Sequence, residues 1–98
     1  MANEYYKLYF LRFTHIITNE QFYKVGKTKH SIDKRFDKPE YNNYNIEEID
    51  VIESTHLWVA IEEDKFLNNF KNYQYAPKIK FGGYTECFKE EIYDVMFK

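Results

Sequence analysis

Cysteine is nearly absent from this chain, with Cys87 standing alone. One thiol closes no internal disulfide and builds no thiolate metal cluster, and no His or Cys pair has zinc-finger spacing, so disulfide scaffolds and zinc modules are excluded. Cys87 reads as a small core residue. Glycine and proline are scarce as well, at three and two in 98 residues, and no internal repeat, linker or low-complexity tract is found. No apolar run approaches a membrane span and no signal-peptide core is present, so a soluble, intracellular and cytoplasmic protein with no membrane partner is expected.

Aromatic residues fill the gap. Ten Tyr and nine Phe, with one Trp, make up 20% of the chain. That is far more than an unfolded polar chain would carry, so one packed domain over residues 1–98 is expected despite a mean hydropathy of −0.72. The net charge of −2 hides an asymmetry. Residues 24–38 hold six Lys/Arg against two Asp, whereas residues 40–64 hold eight Asp/Glu and no Lys/Arg. One face would then attract phosphate while another repels it, or the two stretches would neutralise each other in the fold.

Residues 5–13 are rich in aromatics with no breaker and predict a strand. Tyr5, Lys7, Tyr9, Leu11 and Phe13 would share one face; Tyr6, Leu8, Phe10 and Arg12 would share the other, as in a strand covered on both sides. A turn at Thr18-Asn19-Glu20 leads to a second, antiparallel strand from Gln21 to Gly26. A short helix follows over 31–37, capped by Ser31, then a loop from Pro39 and a third strand over 46–53. Ser54 or Thr55 would cap a helix running to about Asn72, with Trp58, Ile61, Phe66, Leu67 and Phe70 as its buried face. A loop over 73–84 and a last helix over 86–97 capped by Thr85, with Phe88, Ile92, Val95 and Met96 at helical spacing, complete the order β-β-α-β-α-α. The expected fold is α/β (α+β), a small three-stranded antiparallel sheet flanked by helices.

The stretch Lys24-Val25-Gly26-Lys27-Thr28, followed by Ser31-Ile32-Asp33-Lys34-Arg35-Phe36, carries the chemistry. A strand ending at a glycine and a helix start lie among Lys24, Lys27, Lys29, Lys34 and Arg35, which makes an anion-binding corner or a solvated basic turn. Together with Lys7-Leu8-Tyr9 and the late Gly83-Tyr84-Thr85-Glu86-Cys87-Phe88, this pattern resembles the GIY-YIG nuclease superfamily. It is most similar to short viral and bacterial members with K-[IV]-G-K-T and G-x-T-E-x-F motifs. The resemblance spans about residues 5–92.

The resemblance implies a metal-dependent endonuclease that hydrolyses DNA phosphodiester bonds. Tyr9 takes the place of the motif tyrosine and would activate water. Lys24 stands where the second motif usually has Tyr, and its ammonium would favour the Tyr9 phenolate. Arg35 would hold the phosphate with its planar fork, its other reading being an ion pair with Asp33 or with the acidic strand. Glu63, with Glu62 as rival, would bind Mg²⁺ or Mn²⁺. Position 67 is Leu where these relatives often have His, and Cys87 replaces a commoner Trp. Gly26 would serve a tight strand exit and, with Lys27, Thr28 and His30, would form the substrate-binding set. Glu86 would favour the last helix through its dipole or reach the active site. Three readings remain open: the nuclease, acting alone, as an oligomer or beside a protein partner; a catalytically inactive nucleic-acid- or protein-binding module; and a self-associating protein using exposed Tyr and Phe.

Overall fold

The structure, a computed structural model, describes residues 5–78 and 86–97. Its first strand, β1 (Tyr5–His15), is long enough to organise the rest. The hairpin to β2 (Gln21–Thr28) turns at Asn19, whose φ of 63° lies in the left-handed region that Asn tolerates. His15 is buried there, and its Nδ1 accepts hydrogen bonds from the backbone N–H of Ile17 and Thr18 at 3.2 Å each.

Ser31 caps α1 (Ile32–Arg35) as expected, its Oγ accepting from Lys34 N at 3.2 Å. The helix is a single turn, shorter than the predicted 31–37. A 3-10 turn at Pro39–Tyr41 leads to β3 (Tyr44–Thr55), which lies antiparallel on the other side of β1 with a register shift between Phe10 and Leu11. Thr55 accepts from Trp58 N at 3.3 Å and caps α2 (His56–Asn69), followed by a 3-10 turn at Lys71–Tyr73.

Among the described residues the sheet has four strands, where three are predicted. β4 (Cys87–Phe88) pairs with Tyr23 and Lys24 on β2, giving the order β3-β1-β2-β4, and α3 (Ile92–Phe97) closes the chain. Helical spacing of Phe88, Ile92, Val95 and Met96 is misleading at its start. Cys87 and Phe88 are both fully buried, but they belong to clusters on opposite sheet faces, which is the alternation of a strand. The predicted cap Thr85, the glycines of the late motif and the second half of the 73–84 loop lie outside the described residues.

Both faces of the sheet are covered. Tyr9, Leu11, Phe13, Phe22 and Cys87 pack beneath Ile32, Phe36, Tyr41 and Tyr44; on the other face Phe10, Tyr23, Val25 and Phe88 meet Phe66, Leu67, Phe70 and Ile92. The buried stripe of α2 differs from the predicted one. Val59 and Glu63 are buried, with Phe66 and Phe70 continuing at helical spacing, whereas Trp58 and Ile61 face outward. Residues 58 and 61 fall outside the arc defined by 59, 63, 66 and 70, so hydrophobicity alone gave the wrong rotation.

The acidic strand is answered mainly by its neighbour. Lys7 pairs with Glu53 at 3.3 Å and Arg12 with Glu47. Across the sheet, the Glu20 carboxylate accepts from the Tyr75 hydroxyl and from Lys78 N, tying the hairpin turn to a much later segment. Among the described residues, no helix is long and apolar enough to cross a membrane.

Candidate functional site

Tyr9 and Gly26 face each other across the β1–β2 ladder. The Tyr9 ring lies over the glycine: a Cβ at position 26 would meet the phenol oxygen and would stand 2.5 Å from Cζ. Gly26 is therefore not the strand exit that the sequence predicts, since β2 continues to Thr28. Its missing side chain is the space the phenol occupies.

Lys24, two residues before Gly26, shares that face of the strand. Its side chain is fully buried, with Nζ 5.6 Å from the centre of the Tyr9 ring and 3.7 Å from Glu86 Oε1. Nζ makes no hydrogen bond among the described residues. Burial lowers the Lys24 pKa, with Glu86 opposing the shift.

Arg35 enters from α1. Its guanidinium sits 5.0 Å from the centre of the Phe36 ring and hydrogen-bonds with Tyr41, and Phe36 in turn meets the Tyr9 ring edge-on at 5.5 Å. It forms no ion pair with Asp33 or with β3 among the described residues. Burial raises the Tyr9 pKa, and Glu86 and Glu63 raise it further; the cation that opposes them is Arg35. The guanidinium therefore joins Lys24, whose Nζ lies beside the same ring and Glu86, among the cations around the phenol.

From α2, Glu63 completes the cluster. It is 7% exposed, stands 3.8 Å from Lys27 Nζ, and shares a hydrogen bond with Glu86. Burial, then Glu86, push its carboxyl up to about 7, with Lys27 and Lys24 pulling the other way. The rival Glu62 is directed elsewhere, pairing with Lys65 at 3.5 Å. Glu86, given the smaller role by the sequence, is the residue that links Lys24 to Glu63. Its signal was the late motif itself.

One expected substrate contact is engaged within the chain. Thr28 is buried and its Oγ1 accepts from His30 N at 3.1 Å, so it holds the turn after β2; the His30 side chain is exposed. Lys27 remains partly open to solvent beside Glu63. Cys87 is an inert core thiol, its pKa pushed up to about 12 by burial.

Among the described residues, no group of three or more His, Cys, Asp or Glu side chains assembles. The donors within the cluster are the two carboxyls of Glu63 and Glu86. Such a pair fits a hard divalent cation that keeps most of its own water, as Mg²⁺ does when one or two carboxylates hold it.

No family model matches the chain, and neither a curated protein nor a solved structure matches it.

Proposed function

We propose that the protein is a metal-dependent DNA endonuclease of GIY-YIG type. The observation that supports this reading is the meeting of a phenol, an ammonium, a guanidinium and a carboxyl, from β1, β2, α1 and α2, around one glycine gap. Phosphodiester hydrolysis asks for these groups: an oxygen to orient water, fixed cations for the charge growing on phosphorus, and a carboxylate seat for a divalent ion.

Arg35 is half-buried and pinned between Phe36 and Tyr41, which pre-sets its fork to receive two phosphate oxygens. Lys27, nearer the solvent, meets the DNA backbone, while Lys24 fixes Glu86 at the pocket wall. Tyr9 is a protonated phenol at rest, because burial and the two carboxyls oppose its ionisation. Glu63 would hold a divalent ion, which when bound would supply charge neutralisation for the leaving oxygen. Once its phenol proton has passed to solvent, a loss that Arg35 favours, the Tyr9 phenolate would accept a proton from the attacking water, directly or through a second water.

Incubation with supercoiled, branched and single-stranded DNA in Mg²⁺ or Mn²⁺ tests the reading. Cleavage is expected to require the ion and to be lost in Tyr9→Phe and Glu63→Ala. Cutting that persists in both variants would remove the assigned site. A second reading, an inactive nucleic-acid- or protein-binding module on the same scaffold, is favoured by one observation: Tyr9 and Lys24 are almost wholly buried. It predicts DNA or protein binding without cleavage under every ion.

A further inference from the structure

Cations around the proposed site occupy a narrow strip. Lys27 near the end of β2, Lys29 in the turn that follows and Arg35 of α1 succeed one another along the chain, the two lysines exposed and the arginine half-buried. Lys29 has no ion pair among the described residues. Acid borders this strip on both sides. On the sheet face of the Tyr9 ring, Asp33, Asp37 and Glu48 line a recess beside α1 against one cation, Lys34. On the other face, Asp50 and Glu62 line a cavity whose one cation, Lys65, already pairs with Glu62. Asp33 is two residues from Arg35 and Glu62 directly precedes Glu63, so both flanks begin at the site itself.

This charge pattern admits one phosphate backbone and opposes a second. In duplex DNA the two backbones face each other across grooves about 6 and about 12 Å wide. A phosphate seated at Arg35 would therefore bring the opposite backbone over one of the acidic flanks, where like charges repel. Depth points the same way. Tyr9 is 1% exposed, Lys24 0% and Glu63 7%. Phosphates of a stacked duplex are held on its outside, and drawing one inward costs unstacking and unpairing that a free strand does not pay.

An unpaired strand also needs a surface for its bases. Tyr5 is 58% exposed, and strand alternation puts it on the face of β1 that carries Tyr9, about 13 Å away along the strand. Exposed aromatic rings stack bases of any sequence. Resting on the nuclease reading, we propose that the site takes an unpaired DNA strand, either a single-stranded region or the free arm of a branch. Its phosphates follow Lys27, Lys29 and Arg35, and one of its bases stacks on Tyr5.

Fluorescence anisotropy of labelled oligonucleotides with the Tyr9→Phe chain in Mg²⁺ tests this, using a single strand, the same strand in full duplex, and that duplex carrying an unpaired arm. The single strand and the armed duplex are expected to bind about tenfold tighter than the full duplex, or more. Tyr5→Ala should weaken the single strand by about tenfold and the full duplex little. Lys29→Ala should lower the slope of log affinity against log salt for the single strand by about 0.7. Asp37→Lys with Glu48→Lys, both at exposed positions, should bring duplex binding towards that of the single strand, and this pair keeps the test valid if Tyr5→Ala fails to fold. Full duplex binding as tightly as the single strand, no binding to any of the three, or a preference that every folded variant leaves unchanged would overturn the proposal. Cleavage by the unaltered chain separates the two readings. If it binds the unpaired strand tightest and cuts none of the three in Mg²⁺ or Mn²⁺, the nuclease reading falls and the preferred ligand stands; if it cuts full duplex as fast as the unpaired strand, the nuclease stands and this substrate class falls.

Discussion

Two cross-strand pairs on the same face of the β1–β2 ladder solve the same problem in opposite ways. Phe13 faces Phe22, and four residues earlier Tyr9 faces Gly26. At the first, ring stacks on ring at 5.3 Å, and Phe36, Tyr41 and Tyr44 close around Phe13. At the second, one partner has no side chain and the phenol lies across the vacant position, within reach of charges from three other elements. The aromatic pair is filled from both strands and stabilises the domain. The glycine pair is filled from one strand, and what it gains is a phenol held beside the buried Lys24.

The contrast is open to attack at both ends. Phe13→Ala should show the largest effect, about 3–5 kcal/mol of lost stability in urea unfolding, since it leaves a hole among four rings. A loss below about 1 kcal/mol would mean that the cluster collapses freely around the gap. Next comes Arg35→Ala, expected to slow DNA cleavage by about a hundredfold with little change in the urea midpoint, as for removal of other charge-stabilising donors. Equal losses of rate and fold would instead assign Arg35 to the scaffold.

Gly26→Ala should destabilise by about 1–3 kcal/mol through overpacking. Tyr9→Phe should not relieve it, because ring carbon Cζ already stands in the way. Tyr9→Ala should, so that the double variant loses less than the two singles together. Strict additivity would show that the ring moves aside without cost.

The smallest effect is on pH dependence. The folded-state pKa of Glu63, about 7, lies above its ordinary value of 4.5. The folded chain therefore retains a proton that the unfolded chain releases. Its contribution to stability is fully present below about 4.5 and is lost as pH rises through 7. Unfolding measured without divalent ions from pH 5 to 8 should show a decline of about 1 kcal/mol after screening by the partly exposed Lys27, and Glu63→Gln should flatten it. An unchanged slope in that variant would place the responsible group elsewhere.

Much of this contrast was legible in the residues. The two-faced apolar pattern of 5–13 reads directly as a strand covered on both sides, and Ser31 and the alternative Thr55 announce helix starts by known capping chemistry. Motif spacing singled out Tyr9, Lys24, Arg35 and Glu63, which the fold brings to one place. What stayed hidden depends on contacts between distant segments. Two residues are too few to signal β4, and its burial on both faces exists only because β2 lies alongside. The rotation of α2 was obscured because Glu63, a charged residue, occupies the inner stripe while Trp58 and Ile61 occupy the outer one. Gly26 was recognised, but its reason is a ring seventeen positions earlier in the chain.

The pairing of Tyr23 and Lys24 with Phe88 and Cys87 has a consequence for when the pocket comes into being. The hairpin can close over a short turn, whereas β4 joins β2 only after the chain has returned across most of its length. Closing that larger loop carries the greater entropic cost, so it belongs late in folding. Until then Lys24 lacks Glu86, and the chemistry of the cluster would be born with the last strand and not with the first.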